Sequence, residues 1–163
     1  MSTGDSRANE HHGLTVMHTL WMREHNRIAQ LLEDQHPNWN DEKLYRETRR
    51  IVIAEYQHII YNEWLVLILG EQYMINFGLY PLSAGHSKMY LDEGFDPRIT
   101  NEFATAAFRF GHSLIPSSFK KINNQKKSAK QDLKDVFFKP RPFIENSGTK
   151  SRKILMSYVL HTK

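Results

Sequence analysis

The chain has 163 residues, no cysteine and a formal net charge of +4. Its 40% hydrophobic and 25% charged residues are typical of a globular chain that is long enough to bury a core. The lack of cysteine excludes a disulfide scaffold, a thiolate metal site and a cysteine nucleophile. The longest apolar run, residues 64–69, is far shorter than the roughly 20 residues that a membrane span needs.

The charge is unevenly distributed along the chain. Residues 1–116 carry 10 Lys and Arg against 15 Asp and Glu, a net charge of −5, whereas residues 117–163 carry 12 against 3, a net charge of +9. A basic segment of this kind could bind nucleic acid or an anionic surface. No nucleic-acid-binding motif accompanies the lysines, so a solvated, irregular basic tail is favoured and no nucleic-acid partner is expected.

The first predicted element is an amphipathic helix over residues 14–34. Gly13 precedes it, Thr15 is a candidate cap, and Pro37 lies just beyond its end. Apolar side chains recur at steps of three and four residues and define one helix face. The residues of this face are Leu14, Met17, Trp21, Ile28 and Leu32.

A second helix is predicted over residues 41–69. Asn40 can cap it, and Asp41 and Glu42 lie in its first turn, where the helix dipole favours acidic groups. From Trp64 onward the sequence is apolar on every side, which predicts deep burial of this end. Gly70 is expected to stop the helix.

The chain from residue 71 to residue 95 is predicted to be irregular because glycines and a proline interrupt any period. A third helix is expected from Asp96, with Pro97 in its first turn, to about Ile115, where Pro116 ends it. Beyond Ser117 no apolar period is seen. Three helices without strands indicate an all-α fold followed by an irregular basic C-terminal tail.

The nine histidines do not form an obvious metal-binding pattern. A His-Glu-x-x-His motif, which would indicate a zinc protease, is absent. His18 and His25 are seven residues apart, too far to chelate one ion comfortably, so packing against an aromatic side chain is favoured for both. The remaining isolated histidines have polar neighbours and are expected at the surface, namely His36, His86 and His161.

His112 has a different setting, near the end of the third predicted helix among aromatic residues. Gly111 beside it has no side chain, so a flat group could approach the backbone there. A neutral imidazole in a dry pocket suits an axial haem ligand, and Arg109, three residues earlier, could pair with a propionate. Spacing alone nevertheless favours a core histidine.

A second candidate site lies near the N-terminus, where Arg7 and Glu10 are three residues apart. This spacing could direct both side chains toward one ligand. It is equally typical of an exposed ion pair on a helical turn, which contributes a few tenths of a kcal/mol. Without further information, the ion pair is favoured.

Taken together, five stretches of the sequence resemble the animal haem peroxidase family. They occur in the family's order and cover residues 4 to about 116 almost without interruption, so the resemblance is specific. The matching stretches are residues 4–10, 14–29, 50–64, 95–99 and 108–115. The resemblance implies a partial, mainly helical haem peroxidase domain.

The resemblance also implies roles for four residues around haem b. His112 matches the proximal ligand, which binds the iron through Nε2, and Arg7 matches the arginine that stabilises charge as the peroxide O–O bond breaks. Glu10 matches the carboxylate that forms an ester link to a haem methyl. Arg109 matches the arginine near a haem propionate. The implied substrates are hydrogen peroxide and a small reducing substrate or halide, with a role in the response to oxidative stress.

Several family features have no matching residue in this sequence. These are the distal histidine that acts as general base, the acidic residue of a second haem ester, the calcium loop and the asparagine that binds the proximal histidine. Loss of the general base would lower the rate by about 10²–10⁴-fold. We therefore expect residues 1–138 to be a fragment of the catalytic domain and residues 139–163 to be an unrelated, disordered tail.

Three functions remain open at the level of sequence. The first is a haem-dependent peroxidase segment, and the second is a non-catalytic helical fragment that binds haem or a partner. The third, a nucleic-acid-binding protein, rests on the basic tail alone. The family implies an extracellular parent protein, although residues 1–7 lack the apolar stretch of a signal peptide. Oligomeric state is not indicated.

Overall fold

A computed structural model of the chain describes residues 4–86, 96, 98–122 and 128–139. These residues divide into two compact units. The first unit comprises the described parts of 1–24 and 106–163, and the second comprises those of 25–105. The helices are α1 (His12–Gln35), α2 (Asp41–Ile59), α3 (Leu65–Leu69), α4 (Glu71–Asn76), α5 (Asn101–Thr105) and α6 (Leu133–Val136), and the strands are β1 (Ser118–Ile122) and β2 (Ser128–Asp132).

Helix α1 confirms the first predicted helix, but it begins two residues earlier and buries a different face. In the first unit its buried side chains are His12, Thr15, Val16 and Thr19, whereas Met17 of the predicted apolar face is 43% exposed. Three of these four buried side chains are polar, so an analysis of hydrophobic period alone could not find this face. Thr15 lies inside the helix and does not cap it.

Helix α2 begins as predicted. The side chain of Asn40 accepts a hydrogen bond from the Lys43 backbone N–H at 2.9 Å, the contact expected of an N-cap residue. The helical path continues through a π-helical turn, Ile60–Trp64, into α3. Gly70 ends α3 with φ at 81°, a left-handed conformation that costs glycine little.

The expected burial of the apolar end, Trp64–Leu69, is wrong for this chain. Leu67 is 81% exposed, and Ile68 and Leu69 are about two-fifths exposed. The buried side chains described in the second unit are instead Ile28 of α1, Thr48 of α2 and Met74 of α4. The described residues of this unit therefore leave an apolar helix end in contact with solvent.

Two other expectations need correction beyond Gly70. Part of the stretch expected to be irregular forms α4. The long helix expected over 96–115 is replaced by α5 and by a 3₁₀ helix, Ala107–Leu114, separated at Ala106, which has ψ at −70°. Thr100 accepts a hydrogen bond through Oγ1 from the Phe103 N–H at 3.2 Å, so the helical start lies after Asp96.

The stretch beyond Ser117, also expected to be irregular, contains an antiparallel hairpin and α6. Phe119 lies opposite Gln131, and Lys120 lies opposite Lys130. Strand-favouring residues are few in these two segments, which contain only Phe119 and Ile122 of that type, so composition gave no strand signal. Phe119 and Val136 are buried and anchor the hairpin and α6 in the first unit.

The fold class, mainly helical, is confirmed. Among the described residues, none of the helices combines the length and the apolar character needed to cross a membrane. Residues 140–163, which include most of the expected disordered tail, lie outside the described residues, and the proposed boundary at residue 138 stays a prediction.

Candidate functional site

Arg7 lies in a short 3₁₀ turn, Ser6–Asn9, just before α1. Asp5 caps this turn by accepting a hydrogen bond from the Arg7 backbone N–H at 2.8 Å. The same carboxylate accepts hydrogen bonds from the Arg7 side chain, from Nε at 3.0 Å and from Nη2 at 2.6 Å. The guanidinium is thus held in a two-point clamp whose geometry a lysine could not reproduce.

The clamp also sets the charge states of both groups. The hydrogen bonds from Arg7 lower the pKa of Asp5 to about 2, and the Asp5 carboxylate raises the pKa of Arg7 above its ordinary range. Asp5 was not among the predicted site residues. The sequence feature that could have identified Asp5 is the Asp-x-Arg spacing. An aspartate two residues before an arginine can cap a turn and bind the guanidinium at the same time.

A second clamp of the same kind is formed by Asp96 and Arg98. The Asp96 carboxylate accepts from the Arg98 N–H at 3.0 Å and from Arg98 Nη2 at 2.6 Å. Because this second pair lies outside the predicted site, the clamp by itself does not indicate catalysis. What distinguishes Arg7 is its neighbourhood, which includes Glu10 and the start of α1.

Glu10 is half-buried and sits where three segments meet. Its backbone N–H donates to the Arg7 carbonyl at 3.0 Å, and its own carbonyl accepts from the N–H of Phe138, just after α6, at 2.8 Å. The Thr15 hydroxyl contacts the same turn by donating to the Ala8 carbonyl at 3.2 Å. The backbone that carries Glu10 is therefore bound on both sides.

His112 lies near the end of the second 3₁₀ helix and is exposed, so the core position that spacing alone favoured is wrong. Its Nδ1 is 2.9 Å from the carbonyl oxygen of Arg109. Because a carbonyl can only accept, Nδ1 must carry the proton, and the lone pair of Nε2 is left available. This is the tautomer that a metal-binding histidine needs, with the second nitrogen held by a backbone acceptor.

Arg109 and Gly111 complete this part of the site. Residues three apart eclipse each other in a 3₁₀ helix, so Arg109 and His112 lie on the same side. Nothing lies within 4 Å of the position that a Cβ on Gly111 would occupy, so the backbone beside His112 faces open space. A flat ligand could reach this backbone, and the Arg109 cation could meet an anionic substituent of the ligand.

His11 is a further residue that the sequence analysis missed. Its Nδ1 accepts hydrogen bonds from the N–H groups of Gly13 at 3.1 Å and Leu14 at 3.4 Å, so His11 is the N-cap of α1. The imidazole also stacks on Phe119, with ring centroids 5.6 Å apart and planes at 15°. Histidine is outside the usual set of capping residues, so Thr15 was the more obvious candidate.

Among the other histidines, the expected packing of His25 is confirmed and that of His18 is wrong, because His18 is exposed. His25 packs against Tyr45 at a centroid distance of 5.5 Å, which confirms its interpretation as a packing residue. His36 stacks on Trp39 at 4.1 Å. His161 lies outside the described residues. None of these contacts points to a ligand.

All four predicted site residues belong to the first unit, although a hundred residues of sequence separate the two pairs. The N-terminal turn carries Arg7 and Glu10, and the second 3₁₀ helix carries Arg109 and His112. The second 3₁₀ helix offers an imidazole whose Nδ1 is bound to a carbonyl, and the N-terminal turn offers a cation of fixed orientation and a carboxylate. Their specific roles stay predictions.

Comparison with known proteins adds an independent observation. The family model described as animal haem peroxidase matches residues 1–162. The peroxidasin homolog of Homo sapiens is 46% identical over 148 residues, which are 89% of this chain and 10% of that protein. The chorion peroxidase of Aedes aegypti is 41% identical over 142 residues, 87% of this chain and 18% of that protein.

A solved structure agrees with these relatives. Peroxidase A from Dictyostelium discoideum is 31% identical in sequence and superposes with a TM-score of 0.67. The superposition covers 86% of this chain and 25% of the solved chain. The chain thus spans between a tenth and a quarter of the length of the proteins that it matches here.

Proposed function

The chain belongs to the animal haem peroxidase family, and from that premise we propose that it is a segment of a haem-dependent peroxidase. The reaction is the reduction of hydrogen peroxide coupled to oxidation of a small reducing substrate or a halide. One observation carries the proposal, the hydrogen bond between His112 Nδ1 and the Arg109 carbonyl. It leaves Nε2 free in the tautomer that binds iron.

The residues of the first unit fit haem in three respects. His112 offers an exposed Nε2, the backbone at Gly111 is open to a flat group, and Arg109 on the same side suits a propionate. When bound, haem supplies the redox-active iron at which peroxide is reduced. His112 would hold the iron, and its bond to the Arg109 carbonyl would keep the imidazole oriented and electron-rich.

Arg7 is proposed to stabilise negative charge that develops on the peroxide oxygen as the O–O bond breaks. A guanidinium held in one orientation needs no rearrangement at the moment of reaction, which is the condition for strong electrostatic stabilisation. Asp5 is proposed to provide that orientation through its two-point clamp. The carboxylate also offsets part of the positive charge of the guanidinium, which is held in one orientation although its side chain is 72% exposed.

Glu10 is proposed to hold the cofactor through an ester link to a haem methyl. Its backbone is fixed by bonds to Arg7 and Phe138, so the point from which its side chain extends is fixed. This residue is half-buried beside the Arg7 turn. By the same family likeness, we propose an extracellular location for the whole protein.

A non-catalytic haem-binding fragment is the second candidate function. It is favoured by the arrangement of Arg109 and His112, which lie on the same side of one 3₁₀ helix and could hold haem without Arg7. In this case His112 and Arg109 would hold haem, and Arg7 would have no effect on turnover because there would be none.

The test is a titration of the purified chain with haem, followed by absorption in the Soret region. We expect a red-shifted, saturable Soret band that His112→Ala abolishes and that His86→Ala, at an exposed position, leaves intact. Retention of the full shift in His112→Ala would overturn the ligand assignment.

A peroxide assay separates the two candidate functions. Peroxidase turnover that is proportional to protein and falls at least about tenfold in Arg7→Ala, with the Soret shift unchanged, supports the enzyme. Haem binding with no turnover above that of free haem supports the fragment that only binds.

A further inference from the structure

The cap at the start of α1 is built from a titratable side chain. His11 Nδ1 accepts from the N–H groups of Gly13 and Leu14, so this nitrogen must be without a proton. A protonated imidazole has donors on both nitrogens and could accept neither bond. Asparagine or serine in the same position would cap the helix at any pH.

We propose that neutral His11 is a positioning residue for Glu10 and Arg7, and that its protonation loosens the join between the N-terminal turn and α1. The proposal rests on the proposed function, since Glu10 and Arg7 matter only where they meet a cofactor and peroxide. His11 follows Glu10 directly in the chain. Losing the cap removes the two side-chain bonds of this join and leaves only the Thr15 bonds to the Ala8 and His11 carbonyls to hold the turn to the helix.

A second contact fixes the orientation of the His11 ring. Its ring stacks nearly parallel on Phe119 of β1, which is 8% exposed. The imidazole therefore lies between the helix start and the hairpin and cannot rotate without losing the stack. Charge on the ring would also face the positive end of the α1 dipole.

The electrostatic surroundings favour the neutral ring. Burial lowers the pKa of His11, and the adjacent Glu10 carboxylate opposes this effect. From the other elements that pack here, Phe119 contributes an uncharged ring flanked by Lys120, and the chain after α6 contributes Phe138 followed by Lys139. These positively charged lysines would not stabilise a protonated His11 ring, which is also a cation.

The sign of the pH effect follows from this direction. A histidine whose pKa is lower in the folded state binds fewer protons there than in the unfolded chain. Its contribution to stability is therefore complete above about pH 6.5, the unfolded value. The contribution is lost as the pH falls from there through the lower pKa of the folded state.

Amide hydrogen exchange of the whole chain, without haem, tests the cap. In the wild type we expect protection of the Gly13 and Leu14 N–H groups, corrected for intrinsic exchange, to fall about fivefold as His11 becomes protonated. In His11→Asn, whose amide oxygen caps without titrating, protection stays constant with pH. In His11→Ala it is low at every pH.

The Lys43 N–H is an internal control, because its cap, Asn40, does not titrate and its protection stays constant. Unchanged protection of Gly13 and Leu14 while the His11 ring resonance titrates would overturn the proposed cap. None of these readouts requires haem, so failure of haem binding would contradict the proposed function alone.

The positioning role is tested with haem bound. We expect turnover in the wild type to fall as the pH drops below about 6.5, a fall that His11→Asn does not show, with the Soret band equal in both. Identical pH profiles for the two proteins would overturn the positioning role even where the cap itself is confirmed.

Discussion

At the scale of single residues, the Asp5–Arg7 pair is held by geometry more than by energy. Both side chains are largely exposed, 51% and 72%, and exposed ion pairs contribute little to stability. The value of the pair lies in orientation, because two hydrogen bonds and the backbone cap fix the plane of the guanidinium. The same chemistry at Asp96 and Arg98 provides a natural control.

Replacing Arg7 should return Asp5 to ordinary titration. The pKa of Asp5 is about 2, against about 3.9 for a free aspartate, so the pairing is complete above about pH 3.9 and is lost as the pH falls through 2. In Arg7→Ala we expect the pKa to rise to near 3.9, measured by carbon-13 NMR of the carboxyl group. Arg98→Ala should leave it unchanged, and an unshifted Asp5 in Arg7→Ala would mean that the pair does not form in solution.

The Thr15 hydroxyl joins the N-terminal turn to α1. It is 3% exposed and donates to the carbonyls of Ala8 and His11. Thr15→Val keeps the shape but leaves a buried carbonyl without its hydroxyl donor, so we expect about 1–2 kcal/mol of lost stability in urea unfolding. Thr15→Ser keeps the donor and should recover most of this loss. Equal stability of the valine and serine variants would show that the bond contributes nothing.

At the scale of elements, α1 and α2 begin with caps of different chemistry. His11 caps α1 and can be protonated, whereas Asn40 caps α2 and cannot. His11 satisfies the N–H groups of Gly13 and Leu14, and Asn40 satisfies that of Lys43. By the proposal above, the cap of α1 responds to pH and the cap of α2 does not.

Removing the cap of α2 should destabilise the second unit. Asn40→Ala leaves the Lys43 N–H without its side-chain acceptor, so we expect a loss of about 1 kcal/mol in urea unfolding. Asn40→Ser, another good cap, should lose only a few tenths of a kcal/mol. Should the alanine variant be as stable as the serine variant, the cap would have no role in the stability of α2.

At the scale of the molecule, the second unit exposes apolar side chains that soluble chains usually cover. Leu67 is 81% exposed, and Tyr73, Ile75 and Phe77 of the neighbouring segment are 57–62% exposed. Exposed apolar patches promote association. The relatives that this chain matches are much longer, so most of their chain has no counterpart here.

Substitutions at an exposed and at a buried apolar side chain of this unit should have different effects. Leu67→Gln should reduce hydrophobic-dye binding and concentration-dependent association while changing stability by less than about 0.5 kcal/mol. Met74→Ala, at a side chain with 0% exposure, should cost about 2–5 kcal/mol. Light scattering and urea unfolding measure the two effects. A large loss of stability in Leu67→Gln would mean that Leu67 is buried in solution.

Local patterns were enough to predict several features. Helical period and the flanking Asn40, Asp41 and Gly70 predicted α1 and α2 and the end of α3, because caps and glycine stops act on their own neighbours. The ordered motifs were also enough to identify the family, which the comparisons confirm. The pattern at Arg7, Glu10, Arg109 and His112 indicated candidates, and their roles stay predictions.

Tertiary structure decided the features that depend on partners distant in sequence. The buried face of α1 is set by what packs on it, so polar His12 and Thr15 are buried while Met17 is exposed. The His11 stack requires Phe119, more than a hundred residues away. The expected long third helix is divided at Ala106, between residues whose local preference is for helix, so the local sequence could not predict the break.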